Sequence, residues 1–173
     1  ISVVDATMTE PGSLEILAGT LAFTRSQVDG AGYINVGGNT LLLENNSLAI
    51  AFTKPLIFDG GQLQVVGNAM TITSPTTNLT SVTISNSANL TVQGPITGPG
   101  SLLKIGTASL ILAETNDYAG GTVLSAGTLQ LGLNGTTGNL PPQPGGVFTN
   151  NGTLIFNRSD DVVLNDQITG SGA

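Results

Sequence analysis

Reactive side chains are scarce in this sequence, and the missing kinds constrain its chemistry more than those present. The 173 residues include no His and no Cys. That removes Ser-His-Asp triads, imidazole bases, His metal ligands, disulfides and thiolate metal sites together. Carboxylates remain. Asp160, Asp161 and Asp166 form the densest acidic group, and paired acids are what a polysaccharide-cleaving enzyme would need. Adjacent strand residues face opposite sides, so Asp160 and Asp161 converge only in a bend. A solvated turn is the expected reading of them. Glu114, Asn116 and Asp117 offer oxygen ligands of the type Ca²⁺ takes. They lack the Gly-Gly-x-Gly-x-Asp repeat of calcium rolls, and Asn-Asp is an ordinary turn pair. The Gly clusters lack the Lys and helix of a phosphate loop. The expectation is therefore no catalytic, cofactor-binding or metal-ligating residues, and no enzyme.

Binding surfaces are equally plain. Sugars stack on exposed aromatics, and only Tyr33 and Tyr118 read as outward candidates. Tyr118 lies inside a repeated motif, where a structural role is expected. Asn-x-Ser/Thr triplets begin at Asn45, Asn78, Asn89, Asn134, Asn151 and Asn157. They would mark glycosylation in a eukaryotic secreted protein, but a chain this rich in Asn, Ser and Thr produces them by chance. Net charge is −7, with four basic residues, Arg25, Lys54, Lys104 and Arg158. They are dispersed, so no basic stripe exists to neutralise phosphates and nucleic acid is excluded as a partner. No run is long enough for a transmembrane helix, and no basic amphipathic helix offers a membrane anchor.

The elements that must position these residues are strands. Hydrophobic residues make up 39% of the chain and aromatics 4%, so burial must come from many small aliphatic contacts in a thin core. Gly, Thr, Ser and Asn are abundant and charged residues are only 9%, a bias towards strands and turns. Period-2 alternation recurs in Leu14-Glu15-Ile16, Leu63-Gln64-Val65, Thr71-Ile72-Thr73, Val82-Thr83-Ile84 and Leu129-Gln130-Leu131. Val162-Val163-Leu164 reads as a short strand buried on both faces. No window carries a helical period.

Strands opened by Gly are near-copies of one another, as in Gly19-Thr20-Leu21, Gly61-Gln62-Leu63, Gly127-Thr128-Leu129 and Gly152-Thr153-Leu154. Leu21, Leu42, Leu63 and Ile84 are evenly spaced, and Leu102, Leu129 and Leu154 follow less regularly. A period in the low twenties predicts one turn of a right-handed parallel β-helix, with essentially no helix. The alternative all-β reading is an antiparallel β-sandwich. Leu21, Phe23, Leu63, Val65, Leu129, Leu131, Leu154 and Phe156 are expected inside, with Thr, Gln and Ser outside. Alternation puts Leu102 and Lys104 on one face, so either a bend separates them or Lys104 sits at a corner with its ammonium in water. Pro141-Pro142-Gln143-Pro144-Gly145-Gly146 is expected to leave the rod as a surface loop, and Pro55 and Pro75 to mark smaller interruptions.

The span from Gly98 to Gly132 resembles the passenger-associated repeat of bacterial autotransporters. Gly98, Gly100, Leu102, Lys104 and Gly106 fill its first part. Asn116, Tyr118, Gly120, Gly121 and Thr122 fill the second, and Gly127, Thr128, Leu129, Leu131 and Gly132 the third. Asn150 to Asp160 resembles the coil that commonly follows. The likeness is clearest over 96–173, while 1–95 share only the strand openings. Ala108-Ser109 stands where the family usually has Gly-Thr. The end, Ile168-Thr169-Gly170-Ser171-Gly172-Ala173, copies the repeat's opening at Ile96, so residues 1–173 are expected to be one β-helical segment of a longer passenger.

The resemblance implies a secreted or surface-displayed scaffold of a Gram-negative bacterium, exported through a C-terminal outer-membrane barrel. It implies adhesion to host-cell or bacterial surface molecules, or self-association. A toxin or host-signalling passenger, and a polysaccharide-acting β-helix enzyme using carboxylates, are the alternatives.

Overall fold

The computed structural model describes residues 1–4, 7–8, 12–45 and 51–173. Its alternating segments are too short and too Gly-punctuated to hold a helix, and they form strands throughout. Among the described residues the one helical element is a 3-10 turn at Pro144–Gly146. The strands coil into three sheets, one nine-stranded, one eight-stranded and one six-stranded. Every pairing is parallel and joins a strand to its equivalent one coil away. The molecule is a parallel β-solenoid, and the antiparallel sandwich is excluded.

Alternation then fixes the bore. In the first sheet Leu21, Leu41, Leu63 and Ile84 stack in succession, and Phe23, Leu43 and Val65 form a second file beside them. The second sheet supplies Val28, Phe52, Ile72, Val92, Leu112 and Leu131. The third supplies Ile34, Leu56, Thr76 and Ile96. All of these are buried, each aliphatic side chain contributing about 1.5–3 kcal/mol against exposure. Phe23 and Phe52 meet edge to face, ring centres 6.2 Å apart.

Three expectations about individual residues change. Leu42 is not in the Leu21 file. It pairs with Ala22 and Gln64 on the outer face, and Leu41 takes the inner place. Coils differ in length by a residue or two, so even spacing along the chain is not equivalence in space. Phe156 lies in the last strand of the second sheet, stacked on Leu131 on one side only, and is 44% exposed. Its neighbour Leu154 is partly buried for the same reason. Val162-Val163-Leu164 forms no strand, and Val163 is exposed.

The proline segment also departs from expectation. Pro141 and Gln143 are buried, so the chain stays on the rod. Prolines cannot donate to a ladder, and the Gln143 side chain stands in for missing strand contacts. Its Oε1 accepts the Thr122 N–H and its Nε2 donates to the Pro141 carbonyl at 2.6 Å. This coil is longer than its neighbours: Leu124 pairs with Asn150, 26 residues on, where Lys104 pairs with Leu124 after 20. The extra length bulges between Leu131 and Gly135.

The corrected file makes a direct test. Leu41→Ala should lower unfolding free energy by about 2–5 kcal/mol and Leu42→Ala by less than about 1 kcal/mol in denaturant titrations.

Candidate functional site

The acidic residues singled out for chemistry are each spoken for or isolated. Asp160 is clamped by Arg158, whose Nε and Nη2 donate to its two oxygens at 2.8 and 2.7 Å. That hydrogen-bonded guanidinium holds the Asp160 carboxyl below its usual range and raises Arg158 in turn. The same guanidinium donates to the carbonyls of Gly138 and Thr136, tying down the long coil's bulge. Asp166 accepts the backbone N–H of Gln143 at 3.1 Å. Asp160 and Asp161 do share an open depression of about 430 Å³ with Phe156, Arg158 and Ile168, but it sits at the last coil and Asp160 is already ion-paired. Asn116 is buried: its Oδ1 accepts the Ile96 N–H, and its Nδ2 donates to the Glu114 and Asn139 carbonyls. A side chain so engaged is a coil-to-coil strut. Among the described residues no three acidic side chains converge.

Tyr118, read as an outward candidate, is fully buried and its hydroxyl lies 2.6 Å from Thr122 Oγ1. Burial raises its pKa beyond the ordinary phenol value. Tyr33 remains at the surface. Of the Asn-x-Ser/Thr positions, Asn45 and Asn78 are buried and used internally, each donating from Nδ2 to a carbonyl of the next coil. The two residues after Asn45 lie in the undescribed span 46–50. Asn89, Asn134 and Asn151 are exposed and Asn157 is partly so.

Lys104 overturns its expectation most fully. Neither a bend nor a watery corner is used. It continues the inner file between Ile84 and Leu124 with 0% exposure. Its ammonium donates to the carbonyls of Ile105, Gly106 and Ala126 at 2.9, 2.8 and 3.3 Å, joining two coils from inside. Burial pushes its pKa down to about 8. Lys54 is likewise buried and donates to Ala31 O at 2.7 Å. Asn86 is its polar counterpart, bonding Ala88 and Ser109 carbonyls.

These internal polar residues escape sequence reasoning because charge argues for the surface. The usable signal is alternation itself, which continues unbroken from Leu102 to Lys104. The glycines of the repeat follow the same logic. Gly127 has φ +74°, and a β-carbon there would collide with the Gly106 carbonyl and press on Lys104 Nζ.

With Lys54, Lys104, Asn116 and Tyr118 internal and Arg158 paired with Asp160, the outer face is what remains for binding. Along the first sheet it runs Thr20, Thr40, Gln62, Thr83, Leu103, Val123, Thr149, Thr169. Along the second it runs Thr71, Thr91, Ile111, Gln130, Ile155. Rungs about 4.8 Å apart carry hydroxyls, amides and aliphatics on flat faces.

Residues 102–131 match the family model described as passenger-associated-transport-repeat. Over 99% of its length the chain is 34% identical to the adhesin BmaC autotransporter of Brucella suis biovar 1 (strain 1330), and it spans only 5% of that relative. No solved structure matches. Lys104, Asn116, Tyr118 and Gly127, all committed to the framework, fall inside the matched repeat.

The Lys104 setting predicts a pH dependence. Its folded pKa of about 8 lies below the 10.5 of an ordinary lysine. Between those values the unfolded chain holds a proton that the folded protein has released, so stability rises with pH across that window. Denaturant midpoints for the wild type should climb from pH 8 to about pH 10, where ionisation of Tyr118 in the unfolded chain begins to oppose the rise, and Lys104→Met should flatten that slope.

Proposed function

Because this chain is a segment of an autotransporter passenger, we propose that it serves as an adhesive scaffold with no chemistry of its own. The protein is surface-displayed or secreted by a Gram-negative bacterium. The relative that it matches is an adhesin, and the fold offers adhesion what it needs: a rigid rod with long, flat, hydrogen-bonding faces. The observation that carries the reading is where the repeat spends its polar groups. Lys104, Asn116 and Tyr118 are all turned inward to hold coils together, leaving the outer rows of Thr, Ser, Gln and aliphatics as the contact surface. Contacts are made with host-cell or bacterial surface molecules and with other copies of the rod. Hydroxyls and amides both donate and accept, so a face built of them fits another like it. Export through a C-terminal β-barrel of the parent chain belongs to the same proposal.

The test is a display assay. Bacteria carrying the intact parent should attach to host cells or clump, and deletion of residues 1–173 should reduce this by about tenfold, about 1.4 kcal/mol of overall attachment free energy. Unchanged attachment with equal surface expression would remove the adhesive role. Release of reducing sugar ends from polysaccharide by the purified chain would remove the non-catalytic one.

A further inference from the structure

The third sheet stops before the other two. Its strands pair in succession through Leu56–Phe58, Thr76–Asn78, Ile96–Gly98 and Asp117–Tyr118. Among the described residues no strand follows on that face. The first sheet continues into Val147–Asn150 and Gln167–Thr169, and the second into Thr128–Gly135 and Thr153–Arg158. Pro141, Pro142 and Pro144 fall where the next third-sheet strand would run, and a proline has no N–H to donate. With those donors missing, Val162-Val163-Leu164, one coil further on, also stays outside the ladder.

Side chains close the gap. At the first coil boundary past Tyr118, the Asn116 N–H donates to Asn139 Oδ1 at 2.8 Å and Asn116 Nδ2 to the Asn139 carbonyl at 3.0 Å. Thr137 Oγ1 donates to the Ala113 carbonyl at 2.6 Å. At the second boundary the Gln143 N–H donates to Asp166 Oδ1 at 3.1 Å, and Arg158 Nη1 to the Gly138 carbonyl at 2.8 Å. Each of these bonds uses a side chain, and Thr137 and Val163 stand in water. The opposite side is built differently. In the second sheet Leu110, Leu129 and Leu154 keep backbone register across both boundaries, as do Leu112, Leu131 and Phe156. Lys104 adds its tie to Ala126 across the first of them. The first sheet is narrow at the second, where only Val123 and Leu124 pair with Thr149 and Asn150.

We infer that the rod carries a joint here. The third face parts between Tyr118 and Asp166 while the second sheet acts as the hinge, so the last coils tilt against the stiff coils before them. Ladders open cooperatively as whole strands, whereas side-chain bonds at an exposed seam are exchanged singly for water. Bending therefore concentrates in the short stretch where the ladder is missing, as hinge motions do. A rod pulled sideways gives at this point and stays straight elsewhere. The joint is present whatever the rod adheres to.

The test uses pairs of spin labels on introduced cysteines in the 173-residue chain, which has none of its own. Thr77→Cys with Val163→Cys spans the seam. Thr71→Cys with Ile155→Cys covers the same coils along the second sheet. Glu15→Cys with Thr97→Cys lies on the third face before the seam. Each pair spans about 19 Å of stacked backbone. The distance distribution of the seam pair should be at least about twice as broad as the other two. Asn139→Ala with Thr137→Val should widen it further and leave the second-sheet pair narrow, which also reports that the variant is folded. Three distributions of equal width would overturn the inference. A broad seam pair that Asn139→Ala with Thr137→Val leaves unchanged would do the same, because that breadth belongs to the Val163 segment alone. Equal broadening of the second-sheet pair would also overturn it, because the end coils would then be unravelling and not tilting.

Discussion

Everything in this molecule depends on each coil presenting its backbone donors and acceptors to the coil above and the coil below. A buried N–H or C=O left unpaired costs about as much as a lost hydrogen bond, so coil lengths cannot vary freely. Pairing intervals stay near 20 to 22 residues from Leu21 to Leu124. Where one coil lengthens to Asn150, the mismatch is pushed into a bulge and covered by side chains. Gln143 takes over backbone pairing beside the prolines, and Arg158 holds the bulge through two carbonyls.

The same constraint explains polar residues in the bore. Where the chain turns between sheets, carbonyls point inward without a ladder partner. Asn side chains meet them one coil away, as with Asn86 to Ser109 and Asn116 to Asn139. Lys104 meets three at once. An ammonium in a dry interior is costly alone, and satisfied by carbonyls it becomes a tie between coils. Lys104 and Asn116, both inside the matched repeat, thus satisfy carbonyls where the chain turns between sheets.

Much of this was legible in the sequence, and the failures share a cause. Gly-opened strands and their period gave the solenoid, its lack of α-helix and most of its core, Phe23, Val65 and Leu131 included. Residue-by-residue equivalence was not legible, because a one-residue difference between coils moved the inner place from Leu42 to Leu41. Polarity misplaced Lys104 and Tyr118, since a sequence does not show that a corner supplies carbonyls or that Thr122 sits beside the phenol. Phe156 and the 162–164 run failed because burial needs a neighbouring coil, and alternation within a strand says nothing about what stacks upon it. The candidate site had little to reveal: the acids of the sequence are dispersed, as Glu114 and Asp117 are, ion-paired, as Asp160 is, or bonded to backbone, as Asp166 is.

Parallel register between neighbouring coils is the claim beneath all of these, and the absence of cysteine allows it to be read directly. Thr83 and Leu103 are outward partners one coil apart, whereas Leu102 faces the bore. A protein carrying Thr83→Cys and Leu103→Cys should form an intramolecular disulfide on mild oxidation, because the paired backbones lie within the 4.4–6.8 Å that such a bond tolerates. The pair Thr83→Cys and Leu102→Cys should stay reduced. Bonding of the second pair and not the first would contradict the register, and with it the solenoid.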